Sequence, residues 1–168
     1  NENPTHIAVA FDMKGPTFRH EMFESYKANR DEMPEDIRKS IPYVREIIKG
    51  YRIPILEKEG FEADDVIGTV AKTAERDGFK VFMVTPDKDY AQLVSENIFM
   101  YKPKRMGNEI EVWGIEQVKE NFQVDNPLQV IDVLGLMGDS ADNIPGCPGI
   151  GPKTAMKLIG DFGSVDGV

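Results

Sequence analysis

The chain has 168 residues, 40% hydrophobic and 29% charged, with a formal net charge of −9. That length buries one good core and at most a small appended subdomain. No run of eighteen apolar residues exists to cross a membrane, and no basic-then-apolar leader opens the chain. Cys147 is the only cysteine, which excludes a disulfide framework and a cysteine-rich zinc site, and His6 and His20 lie too far apart for metal-ligand spacing. A cytoplasmic protein is the expectation. The acidic total argues against a nucleic-acid partner, but the distribution does not. Between Lys14 and Arg30, four cations (Lys14, Arg19, Lys27, Arg30) face only Glu21 and Glu24, and Lys102, Lys104 and Arg105 form a second basic patch.

In chain order, Ile7 to Phe11 has the apolar pattern of a buried strand, with Asp12 at its end. Thr17 to Arg30 is polar, aromatic and basic, and reads as a short helix followed by a mobile segment rather than as core. Pro34-Glu35-Asp36 opens a helix along which Ile37, Ile41, Val44, Ile47 and Ile48 recur with helical period, kinked or split at Pro42. Ile53 to Leu56 is a short strand. A further helix starts at Phe61-Glu62-Ala63-Asp64-Asp65, carries Val66, Ile67, Val70, Ala71 and Ala74 inward, and ends at Asp77-Gly78.

Val81 to Val84 is a strand stopped by Pro86, with Asp87 and Asp89 just beyond it. Groups past the carboxyl end of such a strand sit where ligands bind in open α/β sheets. The plainer alternative is that Asp87 caps the helix beginning near Lys88 and Asp89 is a solvated first-turn acid. Ile98 to Tyr101 and Glu109 to Val112 are the arms of a hairpin turning near Met106-Gly107-Asn108. Gly114 to Phe122 and Pro127 to Leu136 are helices, Gly138 to Asn143 is an acidic turn, and Gly146 to Gly151 is a tight hairpin before a helix at Pro152. Asp161 to Ser164 leads toward another helix. Trp113 reads as packing and Cys147 as a small filler within its turn. The predicted fold is α/β: a mainly parallel sheet with helices on both faces over residues 1–122, then a small helical subdomain over 123–168.

The acids fall into four clusters: Asp12; Glu62, Asp64 and Asp65; Asp87 and Asp89; Asp139 and Asp142. Glu62 and Asp65, and likewise Asp139 and Asp142, are three apart and face roughly one way on a helical turn. In a parallel sheet the first three clusters come to one edge. Two carboxylates about 4 Å apart repel by roughly 4 kcal/mol at an effective dielectric near 20. Several such pairs rival a domain's whole stability of about 5–15 kcal/mol, so convergence requires cations or retained protons. All-oxygen ligands select Mg²⁺ or Mn²⁺ over zinc, and two such ions suit phosphodiester hydrolysis.

Gly149-Ile150-Gly151-Pro152-Lys153-Thr154 points to a different chemistry. Glycines let a backbone approach closely, and the N–H groups at the start of a helix meet a phosphate, with Lys153 and Lys157 nearby. The alternative is an ordinary glycine hairpin. Tyr26, Lys27 and Arg30 fit a clamp in which an aromatic stacks on a base and cations hold phosphates, or else a solvated basic face.

Together, Ala10-Phe11-Asp12, Phe18-Arg19, Tyr26 to Arg30, Glu62 to Asp65, Thr85 to Asp89, Gly138 to Asn143 and Gly149 to Ala155 resemble the 5′-nuclease domains of bacterial DNA polymerase I, within the flap endonuclease superfamily. The resemblance implies a PIN or resolvase-like fold followed by a helix-three-turn-helix element. It implies removal of 5′ flaps and RNA primers from branched or nicked duplex DNA by two-metal hydrolysis. Asp12, Glu62, Asp64 and Asp65 would favour one metal, and Asp89, Asp139 and Asp142 the other, with Asp87 close to both. Lys27 and Arg30 would contact the scissile phosphate, with Arg19 on the DNA and Tyr26 stacking on the substrate. Gly149, Ile150 and Gly151, with Lys153, Thr154 and Lys157, would hold the duplex backbone, in some relatives with a bound K⁺. Members of the superfamily open with a further strand ending in another metal-binding aspartate. Nothing before Ile7 matches it, so the expectation is an excised fragment, weak or inactive by itself, whose parent is a polymerase or a free-standing nuclease. Competing readings are a DNA-binding module without catalysis and a PIN-type ribonuclease, the latter lacking the glycine hairpin and its lysines.

Overall fold

The structure is a computed structural model that describes residues 3–103 and 110–168. Lys104, Arg105, Glu109 and the expected hairpin turn at Met106-Gly107-Asn108 lie outside the described residues. The chain divides into two compact units, Asn1–Ile67 and Gly68–Val168.

In the first unit, β1 (Val9–Ala10) pairs in parallel with β2 (Ile55–Leu56), Val9 opposite Ile55 and Ala10 opposite Leu56. Both strands are shorter than their apolar runs, because the ladder closes after Phe11 N–H donates to the Leu56 carbonyl at 3.1 Å. Helix α1 is a single turn, Phe18–Met22, after which the chain folds back through tight turns. These are closed by Tyr26 N–H to Phe23 O, Ala28 N–H to Ser25 O and Arg30 N–H to Lys27 O. Thr17 and Tyr26 are buried there, so this stretch contributes to the core rather than hanging free.

Helix α2 (Glu35–Gly50) runs unbroken through Pro42. The proline's missing N–H leaves the carbonyl of exposed Arg38 to solvent, which tolerates it better than a buried site would. Only part of the apolar stripe is covered. Ile41, Arg45 and Ile48 are half-buried, whereas Ile37, Val44 and Ile47 are exposed. Arg45 shares the covered face: its guanidinium lies 4.6 Å over the Phe11 ring and bonds Glu57 at 2.5 Å, tying the helix to the ends of β1 and β2. The start of α3 (Ala63–Arg76) completes this unit.

In the second unit, β3 (Val81–Val84) pairs in parallel with β4 (Ile98–Pro103), and β4 pairs antiparallel with β5 (Ile110–Trp113). The hairpin arms thus form as their alternation predicts. One sheet face is core, carrying Met83, Ile98, Met100 and Trp113, all buried. On the other, Phe82 stacks on Phe99 at 5.5 Å and meets Tyr101 edge-on at 5.9 Å, with the Lys80 ammonium over both phenylalanines. A six-residue 3-10 helix, Lys88–Leu93, follows β3.

Helix α4 (Ile115–Phe122) ends at Gln123 in a left-handed cap, and α5 (Val130–Met137) and α6 (Pro152–Phe162) pack together. Their fully buried contacts come from Val118, Val130, Val133, Ala155 and Ile159. Cys147 is exposed rather than a filler.

Two glycines set the crossing between α5 and the hairpin before α6. A Cβ on Gly146 would lie 2.4 Å from the Met137 carbonyl carbon, and one on Gly138 would lie 2.3 Å from the Gly146 nitrogen. At Gly149, φ is +80° but a Cβ would meet nothing within 4 Å. Gly146→Ala is therefore expected to cost more than about 2 kcal/mol by overpacking, and Gly149→Ala only about 1–2 kcal/mol of left-handed strain. Urea unfolding of both variants checks this, and a Gly146→Ala cost no larger than that of Gly149→Ala would contradict the close approach.

Candidate functional site

In the first unit the acids gather at the N-terminus of α3. Asp12, exposed at the end of β1, accepts a hydrogen bond from Ala63 N–H at 2.7 Å, and Asp65 accepts one from Glu62 N–H at 2.9 Å. Helix-start N–H groups and the local dipole favour carboxylates there. Asp64 is exposed on the same first turn.

Glu62 and Asp65 have further partners supplied by the segment around α1. Arg19 donates bidentately to Asp65, Nη1 to Oδ2 at 2.7 Å and Nη2 to Oδ1 at 2.8 Å, with Nη1 also 3.5 Å from Glu62. Lys27 Nζ donates to Glu62 Oε1 at 2.5 Å, and the Tyr26 hydroxyl donates to Glu62 Oε2 at 2.9 Å. The hydrogen bond from Arg19 leads the causes that hold the Asp65 carboxyl below the usual carboxylate range, ahead of the opposing effect of burial. The same bond raises the already high Arg19 pKa further.

Protein cations thus offset the charge of Glu62 and Asp65, and the Arg19 guanidinium fork is held by Asp65. Tyr26 is only 5% exposed, its ring edge-on to His20 at 5.2 Å, and so cannot stack on a base as it stands. Arg30 is exposed.

In the second unit, Asp87 does cap the 3-10 helix. Its Oδ1 accepts from Asp89 N–H at 3.0 Å, while its own N–H donates to Thr85 Oγ1 at 3.1 Å. Asp89 is not a solvated acid. Its Oδ1 is buried with no hydrogen-bond partner, and its carboxyl is pushed up to about 6. Burial is the largest cause, followed by Asp87, with Asp139 and Asp142 adding and Lys88 opposing.

The turn carrying Asp139 and Asp142 is braced from within. Asp139 Oδ1 accepts from Ala141 N–H at 2.8 Å, and Asp139 and Ile144 form an antiparallel bridge. Lys88 Nζ lies 3.9 Å from Asp139 Oδ2, a cation that spacing rules did not single out.

Among the described residues, no three acidic, histidine or cysteine side chains stand close enough to form a ready-made metal site. The donor chemistry nevertheless fits a hard divalent ion. Every candidate donor is a carboxylate, and Asp89 offers an orphaned buried oxygen that a cation would satisfy.

The glycine hairpin is built as its sequence suggests. Ile150 N–H donates to Cys147 O at 3.0 Å, Gly151 precedes α6, Pro152 takes the first helical position, and Lys153, Thr154 and Lys157 are exposed. A Cβ at Gly151 would meet nothing within 4 Å, so glycine there leaves the backbone open to an outside partner.

A carboxyl whose pKa rises on folding holds its proton more tightly folded than unfolded. The Asp89 contribution is therefore complete below the ordinary value of 3.8 and is lost as pH rises through about 6. In EDTA, Asp89→Asn is expected to melt above wild type at pH 7.5, the gap closing toward pH 4. Equal melting temperatures at pH 7.5 would show that Asp89 carries no such charge strain.

Two family models cover the chain: 5′-3′ exonuclease, N-terminal resolvase-like domain, over residues 1–123, and 5′-3′ exonuclease, C-terminal SAM fold, over 125–168. DNA polymerase I of Bacillus caldotenax is 46% identical over 167 residues, 99% of this chain and 19% of that protein. DNA polymerase I of Bacillus subtilis is 45% identical over 166 residues, again 99% and 19%. The chain thus spans about a fifth of the length of these relatives. Among solved structures, bacteriophage T5 5′-exonuclease with bound zinc matches at TM-score 0.80 and 25% identity, covering 96% of this chain and 62% of that one. The catalytic core of Rad2 in complex with DNA substrate matches at TM-score 0.61 and 21% identity, covering 94% and 48%, a likeness of fold alone. With one model spanning most of its length and the other the remainder, the chain belongs to the 5′-3′ exonuclease family.

Proposed function

We propose that this chain is the nuclease part of a bacterial DNA polymerase I, removing 5′ flaps and RNA primers from branched or nicked duplex DNA by divalent-metal-dependent phosphodiester hydrolysis in the cytoplasm. The observation that carries this most directly is Asp89, whose buried, unpartnered oxygen among Asp87, Asp139 and Asp142 is a liability for the fold without a cation. The metal-holding acids are Asp87, Asp89, Asp139 and Asp142 in the second unit, with Asp12 and Asp64 in the first. Glu62 and Asp65 are secondary, because Lys27 and Arg19 already neutralise them.

The all-carboxylate donor set favours Mg²⁺ or Mn²⁺, and the chemistry such a pair of ions supplies when bound is ionisation of a water and stabilisation of a leaving oxygen. Lys27 and Arg30 neutralise the scissile phosphate. Gly149, Ile150 and Gly151, with Lys153, Thr154 and Lys157, hold the duplex backbone without reading its sequence, and K⁺ at the hairpin is part of this proposal. A functional division into a nuclease core over 1–122 and a DNA-binding subdomain over 123–168 is supported by the ranges of the two family models.

Cleavage of a fluorescent 5′-flap duplex is expected to require Mg²⁺ or Mn²⁺, to stop in EDTA, and to fall by about two orders of magnitude or more in Asp87→Asn or Asp139→Asn. Binding without cleavage at any metal concentration, unaffected by Asp87→Ala, would instead make the chain a non-catalytic DNA-binding module.

A further inference from the structure

We propose that Lys88 is a built-in counter-cation for the acid cluster of the second unit, pairing with Asp139 when no divalent ion is bound and yielding that carboxylate when one is. Lys88 thereby sets how tightly the ion is held. The inference deepens the metal-dependent reading of this site and rests on it.

The chain places this lysine between two acids, Asp87-Lys88-Asp89, at the start of the 3-10 helix that follows β3. From there the Lys88 ammonium reaches the acidic turn after α5, where it lies 3.9 Å from Asp139 Oδ2. The other Asp139 oxygen is already engaged, since Oδ1 accepts Ala141 N–H at 2.8 Å. Lys88 therefore faces the Asp139 oxygen that this backbone bond leaves over, and a divalent ion bound through that oxygen is its rival for one negative charge. The ammonium also acts on its neighbour in sequence, where it opposes the combined effect of burial, Asp87, Asp139 and Asp142 on the Asp89 carboxyl.

Two features suit Lys88 to a contact that gives way. At 3.9 Å the pair is longer than a good hydrogen bond, and the lysine side chain is 43% exposed, a setting in which solvent screens an ion pair and little holds it. A lysine ammonium is also a compact, strongly hydrated charge on a flexible stem, so its return to water costs little. Arg19 in the first unit is the opposite case, bidentate on Asp65 at 2.7 and 2.8 Å.

A counter-cation has two effects of opposite sign. Without a divalent ion, Lys88 offsets the crowding of Asp87, Asp89 and Asp139 and stabilises the fold. With one, its ammonium competes for Asp139 and weakens binding. An ordinary solvated lysine does neither. The test is Mn²⁺ binding followed by electron paramagnetic resonance, with thermal melting in EDTA, on the whole chain and on Lys88→Met, Lys88→Arg and Lys80→Met. Lys88→Met keeps an apolar stem and removes the charge, Lys88→Arg keeps the charge, and Lys80→Met removes the same unit of charge at the opposite end of β3. Lys88→Met is expected to bind Mn²⁺ about three- to tenfold more tightly than wild type, yet to melt about 1–3 °C lower in EDTA. Lys88→Arg and Lys80→Met are expected to bind Mn²⁺ within about twofold of wild type. If Lys88→Met folds poorly, Lys88→Gln carries the comparison.

Unchanged or weaker Mn²⁺ binding in Lys88→Met, an equal gain in Lys88→Arg or Lys80→Met, or a Lys88→Met melting temperature in EDTA at or above wild type would each overturn the assignment. A wild-type chain that binds no Mn²⁺ overturns the metal site and this inference with it. Wild-type binding with no change in Lys88→Met overturns only the role of Lys88.

Discussion

Negative charge held close together is the constraint to which this chain is built, and it meets that constraint by three different means. At the head of α3, Asp12 and Asp65 accept backbone N–H groups that the helix leaves unpaired. Glu62 and Asp65 take side-chain cations, Lys27 and Arg19, in close or bidentate contact. Beyond β3, Asp89 has neither solution, and its carboxyl keeps its proton to unusually high pH. The first two arrangements are self-sufficient. The third is not, and it leaves a buried carboxylate oxygen unsatisfied, which is what the proposed cation would relieve.

The difference between the two units follows from where their cations originate. Arg19 and Lys27 reach α3 from a stretch 46 and 35 residues earlier, and that contact orders a segment whose composition reads as mobile. Its weak apolar pattern carries too little hydrophobic area to bury itself. A partly buried ion-pair network ties the segment to α3 instead. In the second unit Lys88 stands 3.9 Å from Asp139, too long for a good hydrogen bond.

Much of this was legible in the residues. Strands announced themselves as short apolar runs, though β1 and β2 are only half-buried and Val84 ends β3 exposed, and the hairpin of β4 and β5 formed at the expected positions. Pro152 and the glycines before it marked the start of α6. The three-residue spacing of Glu62 and Asp65 did place them together, since Asp65 bonds the Glu62 backbone. Illegible features were those decided by partners distant in sequence. Periodicity in α2 ranked Ile37, Val44 and Ile47 above Arg45, yet the Arg45 guanidinium lies on Phe11 and the half-buried face runs through Ile41, Arg45 and Ile48. The burial of Tyr26 depended on Glu62 and His20, which no local pattern connects to it.

Glycine serves two unrelated ends in the second unit, and the contrast bears on function. Gly138 and Gly146 are required from within, since backbone occupies the space that their side chains would fill. That contact holds the acidic turn of Asp139 and Asp142 against the end of α5, where Cys147 N–H reaches the Leu136 carbonyl. Gly151 faces open space in an ordinary extended conformation, with φ of −94°, so neither packing nor backbone strain in the free chain calls for glycine there. At the mouth of an exposed helix start with Lys153 and Lys157 nearby, the proposed contact with a phosphate backbone would give such a glycine a reason, since the partner would approach the main chain closely. A phosphate backbone has the charge and the shape to do so.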